Sequence, residues 1–309
     1  VYLCACRFGS LVIAYIYHSV VVKGKRCKSK AKLHGKLSSN TGIGKMTALD
    51  LARRGARVIL ACRSKRRAEA ALESGSNEVV FMQLDLGSLK SVRSFAETFL
   101  KTESRLDLLI NNAGIYMPGT TEDGLGMMFS VNHIGPFLLT NLLLDRMKEC
   151  GPSRVVNVSS IGHNFGTIDF NCLSTHKELG VGNSATDVFN IYANSKLCNV
   201  LFTHELAKRL QGTNVTCYTL HPGAINSELF RNVSKVFMIL MKPFLMFFFK
   251  DTVAGSQTTL HCALQEGLEP LSGCYFSNCT VRNLYAKARD NAVAKKLWEV
   301  SESLSGLSS

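Results

Sequence analysis

From residue 43 to residue 220, short apolar runs of strand type alternate with stretches of helical period, and this alternation limits the chain to few folds. A helical stretch over Ile43–Arg54 precedes a strand-type run, Ala56–Ala61. The pattern then reads helix 65–72, strand Glu78–Leu84, helix Ser91–Lys101, strand Leu106–Ile110, helix Val131–Lys148, strand Arg154–Val158, helix Val188–Leu210 and strand Val215–Leu220. The strand runs are continuously apolar, which is the mark of strands covered on both faces. The expected fold class is therefore α/β, a Rossmann-like, doubly wound parallel sheet with helices on both faces. Ligands of such sheets bind beyond the carboxyl ends of the strands.

Residues that carry chemistry fall at those ends. Tyr192 and Lys196 stand four apart on one helix face. An ammonium near a phenol stabilises the phenolate and lowers its pKa toward the range of general acid–base catalysis. Ser160, in the Ser159–Ser160 pair closing the strand Arg154–Val158, is placed to hold a substrate oxygen. Asn132 interrupts a helix interior, where Asn is unfavourable, and invites a polar task such as orienting a water or Lys196. Asn112, Ala113 and Gly114 end a central strand with small residues that let backbone approach a flat ligand. Asn40, Thr41, Gly42, Ile43 and Gly44 lead into a helix whose N-terminus favours a pyrophosphate. Arg63 follows the strand Ala56–Ala61, where a reader of the NAD 2′-hydroxyl would be acidic; with Lys65, Arg66 and Arg67 it suits the 2′-phosphate of NADP(H).

Taken in order and spacing, this set resembles the short-chain dehydrogenase/reductase family over about residues 33–305. The resemblance implies a Ser160–Tyr192–Lys196 catalytic triad with Asn132 as fourth member. It also implies Asp85 and Leu86 near an adenine, and Pro222 and Gly223 beside a nicotinamide. The segments Leu51–Val58, Val131–Phe137 and Asn226–Phe230 are similar to the retinol dehydrogenase branch. That branch implies NADP(H), membrane attachment and a small lipophilic alcohol or carbonyl as substrate. A homodimer is left open.

The first strand departs from the family pattern. Gly35–Lys36 runs almost directly into Leu37–Gly44, so the strand is truncated by about four residues, and Ser38 stands where the first motif glycine belongs. Three accounts are open: a splice or gene-model artefact, a non-catalytic relative with an impaired cofactor site, or a structure that recruits other residues as the strand. The intact Ser160, Tyr192 and Lys196 favour the first.

Charge divides the chain further. The net charge is +13, yet residues 1–49 hold nine Lys or Arg and no Asp or Glu. The basicity thus belongs to the N-terminal segment, and no nucleic-acid-binding motif accompanies it. Residues 1–22 are expected to form a membrane anchor, 23–35 a basic linker facing the cytosol, and 36–309 the catalytic domain. Within the domain, the apolar segment at about 228–250 reads either as a substrate lid dipping into a membrane or as a core helix. The eleven cysteines show no Cys-x-x-Cys pair, which fits reduced thiols.

Overall fold

Leucine- and valine-rich runs form the strands, and the intervening stretches cover both faces of one sheet. The computed structural model describes residues 24–29, 36–38, 42–64, 79–223 and 250–308. β1 (Lys36–Ser38) leads to α1 (Gly42–Arg53), β2 (Val58–Cys62), β3 (Val79–Gln83) and α2 (Leu89–Thr102). β4 (Leu108–Asn111) precedes the long helix α3 (Met127–Glu149). β5 (Ser153–Val158), α4 (Phe170–His176), α5 (Ala185–Arg209) and β6 (Val215–His221) follow. Later in the chain come α6 (Thr252–Leu264), the hairpin β7 (Tyr275–Ser277) and β8 (Thr280–Val281), and α7 (Asn291–Ser305).

The sheet has the order β3-β2-β1-β4-β5-β6-β7-β8. All pairs are parallel except β7 with β8. The chain order reverses between β1 and β4, so the binding crevice of this fold opens there. The two-residue periodicity of strands puts alternate side chains into two cores. Ile59, Leu109 and Val155 pack with Phe95, Phe99, Phe137, Phe202 and Trp298 on one face. Leu60, Leu108, Ile110, Val156 and Val158 pack with Leu51 and Leu260 on the other.

Residues Lys36–Ser38 occupy the place of the shortened first strand. β1 pairs Leu37 with Ile59 and Ser38 with Leu60 on one side, and Lys36 and Leu37 with Leu108 and Leu109 on the other. The residues present thus form a first strand despite the shortening. It is three residues long against five in β2 and four in β4.

Helix boundaries shift where capping chemistry decides them. α5 begins at Ala185, before the expected Val188, because Ser184 and Asp187 form a reciprocal capping box. α2 begins after Ser88, whose side chain accepts from the Ser91 amide. The expected uniform helix over Val131–Lys148 is corrected: Ser130–Ile134 is π-helical, and α-helix resumes at Gly135. Among the described residues α3 is long and apolar enough to cross a membrane, but 78% of that stretch is buried, and it is a core helix of this domain. The nine described cysteines are all free thiols. The expected anchor and the helix at 65–72 lie outside the described residues, as does the apolar segment at about 228–250 apart from Lys250.

Candidate functional site

Ser160 extends beyond β5 and caps the 3-10 turn Ile161–Asn164, its Oγ accepting from the Gly162 amide at 3.1 Å. Tyr192 lies in the first half of α5, buried, and its phenol hydrogen-bonds the Ser160 hydroxyl. Lys196, one turn further on and 3% exposed, donates to the Val158 carbonyl at 3.3 Å. Its Nζ lies 5.7 Å from the Tyr192 ring centroid. The strand end and the helix thus bring Ser160, Tyr192 and Lys196 together, as their spacing suggested.

The electrostatics differ from the sequence expectation. Tyr192 was expected to have its pKa drawn down by Lys196. Burial instead pushes the phenol up, against a lowering by the Ser160 hydrogen bond. Lys196 is aimed at a backbone carbonyl rather than at the phenol oxygen, which explains the difference. Desolvation lowers the Lys196 ammonium to about 8, because no carboxylate accompanies it into the core.

Asn132 does not hold Lys196. Its Oδ1 accepts from the Ile115 amide at 2.8 Å, and its Nδ2 donates to the Ile115 carbonyl at 3.0 Å and to Ser195 Oγ at 3.0 Å. It clamps the loop after β4 to α5 from within the π-helical turn of α3. The wider π turn presents an Asn side chain sideways, into this gap between elements.

The remaining candidates line the carboxyl edge of the sheet. Asn112, Ala113 and Gly114 follow β4; a methyl group at Gly114 would meet Lys196 Nζ at 3.0 Å, so glycine keeps that approach open. Gly42 opens α1 with φ +55°, in the left-handed region that glycine accepts freely, and Ile43 and Gly44 continue the first turn. Asn40 and Thr41 lie outside the described residues. Arg63 is exposed beyond β2, and its neighbours 65–67 are not described. Asp85 caps its own turn after β3, accepting from the Gly87 amide at 2.9 Å, and the Leu86 backbone packs against Gly135 of α3. Pro222 is buried, and Gly223, with φ +105°, follows β6.

These residues fit a nicotinamide dinucleotide. Among the described residues Asn112 Oδ1 is buried without a hydrogen-bond partner, an acceptor at the carboxyl end of β4. The three-donor ammonium of Lys196 has, among the described residues, only its long bond to Val158. Both suit a ligand rich in hydroxyl and amide groups.

Two residues beside the site, Tyr116 and His221, were given no role from the sequence. Tyr116 packs edge-on to Tyr192 with ring centroids 5.4 Å apart. It lies on a loop, where no periodicity reports its direction. His221 accepts the Ile161 amide through Nδ1 at 3.1 Å, so it stays neutral; burial pushes its pKa to about 4. The first residue of the His221–Pro222–Gly223 run therefore supports the Ser160 loop.

Comparison with known proteins agrees with this architecture. The short chain dehydrogenase family matches residues 38–181. Dehydrogenase/reductase SDR family member 13 of Bos taurus is 52% identical over 97% of this chain and 81% of its own. Retinol dehydrogenase 11 of Homo sapiens is 48% identical over 91% of this chain and 89% of its own. A solved structure of an uncharacterised protein from Mycobacterium Paratuberculosis superposes with a TM-score of 0.71 at 31% identity, covering 92% of this chain and 97% of that one. With this strand order, a site at the carboxyl edge and relatives similar over most of their length, the chain belongs to the short-chain dehydrogenase/reductase family of oxidoreductases.

Proposed function

We propose that the protein is an NADP(H)-dependent oxidoreductase that interconverts a lipophilic alcohol and its carbonyl, a retinol- or retinal-like molecule or another lipid aldehyde or ketone. The observation that carries this reading is the Tyr192 phenol hydrogen-bonded to Ser160 above a buried Lys196. When bound, the nicotinamide supplies or accepts the hydride. In the reductive direction Ser160 Oγ donates a hydrogen bond to the carbonyl oxygen, and Tyr192 Oη gives that oxygen its proton. Burial keeps the phenol protonated at neutral pH, the form a general acid needs. Lys196 holds ribose hydroxyls, and Asn132 keeps the loop after β4 in place by its bonds to Ile115. Arg63 favours a 2′-phosphate over a bare hydroxyl.

Residues 1–22 and the basic stretch after them support attachment to an intracellular membrane such as the endoplasmic reticulum, with the domain in the cytosol. The names of the retinol dehydrogenase relatives support a lipid substrate.

NADPH titration followed by protein fluorescence tests the first half of the reading, and saturable binding is expected. Tyr192→Phe is then expected to abolish retinal reduction with NADPH affinity nearly unchanged. Retained turnover would show that another group is the acid. The three-residue β1 favours a second reading, a non-catalytic membrane-attached relative. Absence of saturable NADPH binding at high micromolar concentration would select it.

A further inference from the structure

Residues 24–29 form a strap along the outer side of α6 and α1. At its start the Lys25 amide donates to Asn278 Oδ1 at 2.8 Å, and Lys25 Nζ to Thr280 Oγ1 at 3.1 Å. Midway the Cys27 amide donates to Gln257 Oε1 of α6 at 3.1 Å. At its end Arg54 donates to the Ser29 carbonyl at 2.6 Å. Ser277 of β7 pairs in parallel with His221 of β6, so the turn holding Asn278 lies at the carboxyl edge of the sheet. Arg54 follows α1, which has run back from that edge to the opposite one. The strap therefore descends from the site edge to the far edge, where β1 begins.

Its root touches the site. A methyl group at Gly24 would overlap the Asn278 amide oxygen and lie 3.0 Å from Lys250 Nζ. A methyl group at Gly223 would lie 2.7 Å from Lys250 Cδ. Lys250 thus links the strap root at Gly24 to the Pro222–Gly223 loop beside the site.

The same edge displays apolar side chains to solvent. Met117 follows β4; Ile161, 56% exposed, and Phe165, 66% exposed, follow β5. Val181 and Phe189 flank the start of α5, and Val253 opens α6. Phe165 and Phe189 pair across the loop, with ring centroids 5.9 Å apart. Exposed apolar side chains gathered on one side mark a surface that meets something apolar. Lys25 and Arg26, exposed at the start of the strap, add positive charge at this edge.

We infer that the carboxyl edge of the sheet lies against an anionic phospholipid bilayer, so that a lipophilic substrate reaches Tyr192 from the lipid without crossing water. This rests on the membrane attachment proposed above and adds the face that meets the membrane. The apolar rim and the cationic start of the strap point to the same partner.

The full chain is bound to vesicles of phosphatidylcholine and phosphatidylserine with brominated acyl chains, which quench nearby indole. The buried Trp298 gives a background common to all variants. In Phe165→Trp, brominated lipid is expected to quench the added emission roughly two-fold more than in Gln211→Trp, whose indole sits in the exposed turn at the opposite edge, because interfacial side chains enter the acyl boundary. Ile161→Trp serves if the first variant folds poorly. Equal quenching at both edges, in a chain that sediments with the vesicles, overturns the orientation and leaves membrane attachment standing; this includes the case where a second copy covers the edge. A chain left in the supernatant overturns both.

Discussion

Lys196 is a cation placed where no anion follows it, and that sets a measurable stability cost. Its pKa falls from 10.5 to about 8 on burial, so between those values the unfolded chain binds more protons than the folded one. Stability must then rise with pH across that window, and the penalty is complete below about pH 8. Lys196→Met is expected to stabilise the cofactor-free protein at pH 7 by about 3 kcal/mol, the gain shrinking toward pH 10.5. Urea midpoints at pH 7 and pH 10 check this; a pH-independent gain would mean that packing, not charge, was relieved. Asn132 makes the opposite kind of contribution. Asn132→Ala strands both backbone groups of Ile115, at a cost of about 1–3 kcal/mol in urea unfolding, and should weaken NADPH binding in the fluorescence titration. Tyr192, Lys196 and Ser160 were legible in the sequence because helix period and strand ends fix where such side chains meet. The Asn132 clamp was not, since its partners lie 17 and 63 residues away and depend on a π turn that composition does not announce.

Among the elements, α3 shows how a helix can be easy to find and hard to describe. Its apolar content marked it from the sequence, but the change to α-helix at Gly135 depends on contact with the loop after β3. A methyl group at Gly135 would overlap the Leu86 carbonyl oxygen. Gly135→Ala is therefore expected to cost about 1–3 kcal/mol, read as a lower urea midpoint, although alanine is the better helix former. An unchanged midpoint would show that the loop yields. The strands β2 to β6 appear within two residues of their expected limits, because continuous apolar runs leave little choice of face. The hairpin β7–β8 and α6 escaped strand-by-strand reading. β8 is two residues long and partly polar, and α6 owes its start to the Asp251 cap rather than to periodicity.

For the whole molecule, the decisive element is the short β1 at the centre of the sheet. The doubly wound order was legible because alternation alone implies it, while the pairing of Lys36–Ser38 as β1 was not, since these residues have no strand pattern of their own. Among the described pairs β1 matches only two residues of β4. Inserting four strand-forming apolar residues after Lys36 is expected to raise stability by roughly 1–3 kcal/mol through added burial, with tighter NADPH binding. A lower urea midpoint would show that the three-residue strand is already matched to its neighbours. The strap carries a consequence for the order of assembly. Its hydrogen bonds join residue 25 to residues 278 and 280, separations of 253 and 255 positions. A ribosome making this chain releases residue 25 long before the hairpin that receives it exists. The root of the strap can seat only after nearly all of the polypeptide has emerged. A nascent chain halted before residue 278 would lack the partners of the strap root at Lys25, though Arg54 and Gln257 could already hold Ser29 and Cys27.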